Sequence, residues 1–119
     1  MRKLIALIAV LAASAPAHGL NGGMLKTMPH GRYECALPGD ATGPAWTSVP
    51  DESFVLSGAS SYRSEAGHGT YILKGRNFTF TRGPFKGRNF RRTGNAELQS
   101  IEPEGSLGRM ICIRVSSTH

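Results

Sequence analysis

Thr70-Tyr71-Ile72-Leu73-Lys74-Gly75-Arg76-Asn77-Phe78-Thr79-Phe80-Thr81-Arg82 carries the clearest periodicity in the chain. In Phe78-Thr79-Phe80-Thr81, rings and hydroxyls alternate, which places the rings on one side of a β-strand and the hydroxyls on the other. Thr70–Lys74 and Asn77–Arg82 flank Gly75-Arg76, a two-residue connection with glycine, so the spacing predicts a hairpin. A hairpin with an apolar face needs further strands to cover it, and the flanking sequence supplies them.

Upstream, Arg32–Leu37 reads as the first strand, with Tyr33, Cys35 and Leu37 on one face. Pro38–Pro50 reads as a long loop holding the only tryptophan, Trp46. Ser53–Ser57 is a short strand, Ser57–Tyr62 a turn of small residues, Ser61–Arg63 the start of another strand, and Glu65–Gly69 a turn. Downstream, Gly83-Pro84 turns the chain. Arg88–Arg92 reads as an edge strand whose charges resist burial and pairing with other chains. Ala96–Ile101 and Arg109–Val115 are the last two strands. Arg109–Val115 is apolar on both sides, with Met110 and Cys112 opposite Ile111, Ile113 and Val115, so it is expected to be central or covered by the N-terminal lead-in. Seven or so short strands, with 15 glycines and 7 prolines outside any low-complexity pattern, predict an all-β fold: a single small antiparallel β-barrel or sandwich. Its expected core draws on Tyr33, Leu37, Phe54, Leu56, Tyr71, Leu73, Phe78, Phe80, Leu98, Met110 and Ile113.

Residues 1–17 read as a signal peptide. Arg2 and Lys3 precede the apolar run Leu4–Ala13, and Ala15-Pro16-Ala17 offers small residues for cleavage before His18. The run is shorter than the roughly 20 residues of a membrane span, so no transmembrane segment is expected after cleavage. Cleavage leaves 102 residues (119 less 17) and lowers the formal net charge from +6 to +4. Residues 18–31, broken by Gly19, Asn21-Gly22-Gly23, Pro29 and Gly31, read as a flexible lead-in to a β domain at 32–119. In an exported chain the two cysteines, Cys35 and Cys112, most simply form one disulfide, here between the first and last strands. The expected location is the periplasm or the medium.

The functional signals are charge and aromatic rings. Lys74-Gly75-Arg76-Asn77-Phe78 recurs as Lys86-Gly87-Arg88-Asn89-Phe90. Between Ala66 and Ala96 the cations are Lys74, Arg76, Arg82, Lys86, Arg88, Arg91 and Arg92, with no acid among them. Lys and Arg beside Phe85 and Phe90 suit an anionic ligand, because charge holds phosphate, sulfate or uronate while rings stack on sugars or bases. Lys74, Arg76, Lys86, Arg88, Phe90, Arg91 and Arg92 are therefore candidate ligand-binding residues for an anionic polymer of the cell envelope: a polysaccharide, lipopolysaccharide or nucleic acid. The same stretch also reads as a solvated edge with glycine turns. If Asn77–Arg82 is one strand, the two repeat turns lie roughly 17–20 Å apart at its opposite ends, and the copies form two patches or a stripe.

The motifs of hydrolases, P-loops and dinucleotide sites do not occur, so the chain is read as non-catalytic and without a cofactor. A third option is copper held by the amine and imidazole of a free N-terminal His18, with His30 or His68 as a further nitrogen.

Two resemblances add expectations. Gly31-Arg32-Tyr33-Glu34-Cys35, Pro38-Gly39-Asp40, Ser60-Ser61-Tyr62, Gly69-Thr70-Tyr71, Thr81-Arg82-Gly83-Pro84 and Ile111-Cys112-Ile113-Arg114 resemble a set of short exported bacterial proteins with no established activity. Some of these carry an elongation factor P label, although elongation factor P is a longer, cytosolic, multi-barrel protein. Separately, Ser57-Gly58-Ala59-Ser60-Ser61-Tyr62 and Tyr71-Ile72-Leu73-Lys74-Gly75 resemble the two motifs of the periplasmic C-type lysozyme inhibitors, small barrels that insert a serine and a lysine into the lysozyme cleft. The first stretch is one residue longer than the inhibitor motif. This resemblance implies a protein partner, with Ser60 or Ser61 and Lys74 as the inserting residues.

Overall fold

A computed structural model describes residues 25–39, 43 and 45–117. The signal-peptide expectation and His18 lie outside the described residues. Ten strands run in chain order: β1 Leu25–Lys26, β2 Gly31–Pro38, β3 Trp46–Ser48, β4 Phe54–Ser57, β5 Ser61–Ser64, β6 Gly67–Lys74, β7 Asn77–Arg82, β8 Asn89–Gly94, β9 Glu97–Ile101 and β10 Leu107–Ser116. One 3-10 turn, Pro50–Glu52, separates β3 from β4.

Eight strands close on themselves. Following the pairings, β6-β5-β4-β2-β10-β9-β8-β7 returns to β6, and each pair in the ring is antiparallel. The architecture is thus an up-and-down barrel rather than a sandwich. The first and last barrel strands meet at a seam where Cys35 and Cys112 are direct cross-strand partners, joined by the disulfide with Cα atoms 3.9 Å apart. The 70–82 hairpin forms as read, with Gly75 at φ 64° supplying the positive dihedral that its two-residue turn requires.

Inward positions follow the period-two pattern. Tyr33, Cys35, Phe54, Leu56, Tyr62, Tyr71, Leu73, Phe78, Phe80, Phe90, Leu98 and Cys112 are buried in one core. Phe80 lies at its centre, edge-on to Phe54, Phe78, Phe85 and Phe90 at centroid distances of 5.2, 4.9, 5.2 and 5.8 Å. Each such pair contributes about 0.5–1.5 kcal/mol beyond its buried area. Tyr62 ties a turn to this core: its hydroxyl donates to the Arg82 carbonyl (2.8 Å) and accepts from the Phe85 amide (2.9 Å).

Several expectations change. Arg88–Arg92 is not an edge, because β8 pairs with β7 and β9 and a closed barrel leaves this path without one; Arg91 is exposed while Phe90 faces the core. The 38–50 loop contains β3, which continues the β4 side of β2 through Ser48↔Ala36 and Trp46↔Pro38. The turn at Glu65–Gly69 is shorter than read, with β6 beginning at Gly67. Within the lead-in, Leu25–Lys26 pairs with β6 and Met28 is fully buried. Leu37 and Ile113, expected in the core, are 38% and 45% exposed. Leu37 points inward, but at a mouth that no described segment covers. Ile113 is on the outer side of a central strand and joins Trp46 (54% exposed) and Val115 (51%) in an apolar patch on the barrel wall.

Candidate anion-binding end of the barrel

The meander carries the connections 27–30, 58–60, 75–76 and 95–96 to one end of the barrel, and 65–66, 83–88 and 102–106 to the other. The first end is plugged. Met28 sits in the mouth with its amide donating to the Tyr71 hydroxyl (3.2 Å), and the Tyr33 hydroxyl donates to the Pro29 carbonyl (2.7 Å). Burial pushes the Tyr33 phenol up to about 12 even though the guanidinium groups of Arg114 and Arg92 act to lower it. Burial raises Tyr71 as well.

Cations ring this plugged end. Lys26, Arg76 and Arg92 line a hollow of about 280 Å³ with Gly75, Gly94 and Asn95, and no acid lines it. Arg92 is fixed before any ligand arrives: its Nε donates to the Gly94 carbonyl (3.1 Å) and its NH2 to the Asn95 carbonyl (2.6 Å) and side-chain oxygen (3.3 Å). The Arg92 amide donates to the Arg76 carbonyl (2.8 Å), locking the 75–76 turn against β8. Lys74 and Arg91 are exposed on the strands next to the hollow. Arg114 crosses the rim, where its NH1 donates to the His30 carbonyl (3.2 Å). Among the described acids, Glu34 and Glu97 are the two nearest this end, both cross-strand partners of Ile113; Glu34 pairs with Arg32 (3.2 Å) and Glu97 accepts a hydrogen bond from the Thr93 hydroxyl (2.9 Å).

The opposite end mixes signs. Arg82, Lys86, Arg88 and Arg109 share it with Asp51, Glu52, Glu65, Glu102 and Glu104. Arg88 is committed to an ion pair with Glu52 and lies over the Phe85 ring, 4.1 Å from its centroid. The two repeat copies therefore sit at opposite ends of β7, as their spacing predicted.

No family model, curated protein or solved structure matches the chain.

The geometry sorts the candidate residues. Arg76 and Arg92 line one hollow and Lys74 and Arg91 are exposed at the same end of the barrel, whereas Lys86 and Arg88 lie at the other end. Phe85 and Phe90, each 3% exposed, have their rings in the core and offer no stacking face to solvent. Lys26 and Arg114 were not anticipated; Lys26 reaches this end through the pairing of β1 with β6, and Arg114 through its place near the end of β10, where it donates to the His30 carbonyl. The second motif pair also converges here: the Tyr71 amide donates to the Ser60 carbonyl (2.9 Å), so the Ser57–Tyr62 turn borders the strand that ends in Lys74. Thr27 donates to the Ala59 carbonyl (2.9 Å) and His30 Nε2 lies 2.5 Å from the Gly58 carbonyl oxygen, steadying that turn. Among the described residues no three His, Cys, Asp or Glu side chains cluster in a way that could hold a metal ion, and His30 and His68 lie toward opposite ends.

Proposed function

We propose that this chain is an exported, non-catalytic binding module that engages an anionic polymer of the cell envelope through its plugged, basic end. The observation that carries the reading is the acid-free hollow lined by Lys26, Arg76 and Arg92, with Lys74 and Arg91 exposed on the adjoining strands. Several cations at one end of a rigid barrel present a repeating anion with charge at fixed spacing, and Arg92 needs no reordering to take part. The disulfide supports an oxidising location such as the periplasm or the medium; no described helix is long and apolar enough to cross a membrane.

Because the rim is exposed, its attraction is screened over about 8–10 Å at physiological ionic strength. The protein should bind immobilised heparin at low salt and elute as salt rises through about 0.2 M. Replacing Lys74, Arg76 and Arg92 together by alanine should move elution to clearly lower salt. Replacing Arg82 and Lys86 by alanine, at the other end, should leave it nearly unchanged. Absence of retention, retention indifferent to salt, or equal loss in the two variants contradicts the assignment.

A second reading rests on a separate observation, the meeting of the Ser57–Tyr62 turn with Lys74 at this same end. It makes the protein a docking module of the lysozyme-inhibitor kind, with Ser60 or Ser61 and Lys74 inserting into the partner. It stands second because a basic rim repels the basic surface usual in lysozymes and loses electrostatic steering. Inhibition of lysozyme turnover that disappears on Lys74→Ala supports it; full lysozyme activity at micromolar protein removes it.

A further inference from the structure

The two mouths of the barrel are built differently. Residues 27–30 plug one and tyrosine hydroxyls seal them in place. The other, which no described segment covers, opens into a hollow of about 640 Å³. Its floor is apolar: Leu37, Val49, Phe90, Ile101 and Met110. Leu37 belongs to the inward column of Tyr33 and Cys35, yet it is left 38% exposed. The aromatic plug Phe85 packs on the Tyr62 and Phe80 side, with centroids 5.6 and 5.2 Å away, and does not extend over Leu37 and Met110.

The described rim of this hollow is balanced in charge. Among the described residues that line it, Arg88 and Glu52 pair with each other, Arg109 donates to the Pro38 carbonyl (3.1 Å), and Glu102 completes two cations against two carboxylates. An anion entering here has to compete with Glu52 for Arg88 and faces Glu102. A cation faces Arg88 and Arg109. Either one buries charge without a dedicated partner, which is costly. A neutral guest carries no such penalty. The volume lies within the roughly 300–1,000 Å³ of small-molecule sites, which combine an apolar lining with a few polar groups and recur in the mouths of β-barrels.

We propose that this second mouth binds a small neutral amphiphile, its apolar body on Leu37, Ile101 and Met110 and its polar group facing the Arg88–Glu52 pair. This site is independent of the basic rim at the other end, and each stands or falls alone.

The neutral fluorophore N-phenyl-1-naphthylamine tests it. Titrated into the full protein, the probe should brighten and saturate at one equivalent. Leu37→Asp changes a residue that is already partly exposed and should weaken binding at least tenfold. Ile113→Asp, on the outer apolar wall, should leave binding unchanged, as should Arg76→Ala. Loss of binding with Ile113→Asp but not with Leu37→Asp overturns the proposal in favour of the outer wall. No brightening overturns it outright. The anionic analogue 8-anilinonaphthalene-1-sulfonate binding as tightly at this mouth overturns the claim of neutrality. Should Leu37→Asp fail to fold, methyl shifts in the wild-type protein decide: probe-induced changes at Ile101 and Met110 support the site, and changes confined to Ile113 and Val115 refute it.

Discussion

Replacing Cys35 and Cys112 together by alanine removes the covalent tie across the seam between β2 and β10. The cysteines are 77 residues apart in sequence, so the bond spans nearly the whole barrel. In the chain-entropy model, a crosslink over that separation stabilises the folded state by about 4.5 kcal/mol through the unfolded ensemble. Both sulfurs are also buried, so alanine adds a smaller packing loss. Small domains have about 5–15 kcal/mol of total stability, and 1 kcal/mol corresponds to about 4–8 °C in a domain of this size. The double variant should therefore melt at least roughly 20 °C below the oxidised wild type, followed by circular dichroism. Wild-type protein held in reductant should approach the same value. A drop under about 5 °C refutes the reasoning, because strand pairing alone would then hold the seam. Two titratable thiols in the non-reduced protein would contradict the bond itself.

Tyr33 gives a pH prediction. Its pKa is raised to about 12 in the fold by burial, against about 10 in the unfolded chain. The folded state thus favours the neutral phenol, and that contribution is complete below pH 10 and lost as pH rises toward 12. Denaturant midpoints should fall across that window, and Tyr33→Phe should flatten the fall; a midpoint that rises across it contradicts the burial described. Gly69→Ala tests the close approach of β6 and β7. A Cβ there would lie 2.1 Å from the Arg82 carbonyl oxygen, so overpacking should cost about 1–3 kcal/mol in chemical unfolding, and a neutral effect would mean the strands separate easily.

What the sequence made legible was local. Phe78-Thr79-Phe80-Thr81 announced a strand because alternation is set by backbone geometry, and Gly75 announced its turn. Arg109–Val115 was recognised as apolar on both sides and is indeed central, but nothing in its pattern told that Ile113 and Val115 would stay exposed on the outer wall. Phe85 and Phe90 looked like surface rings because cations adjoin them; the alternation of β8 turns Phe90 inward, and a barrel end needs a ring such as Phe85 to fill it. Trp46–Ser48 has too few residues to show a period. Lys26 could not be joined to Lys74, Arg76 and Arg92 by any local signal, since the long-range pairing of β1 with β6 makes them neighbours, and no local pattern tells that Arg114 ends on the same rim.

The measurement that bears most directly on the central claim is a titration of isotope-labelled protein with a heparin-derived hexasaccharide, read by backbone amide shifts. The account predicts the largest changes at residues 26–27, 74–76 and 91–95, fading as salt is raised to about 0.5 M. Changes centred on residues 83–88, or persisting unchanged at high salt, would contradict it.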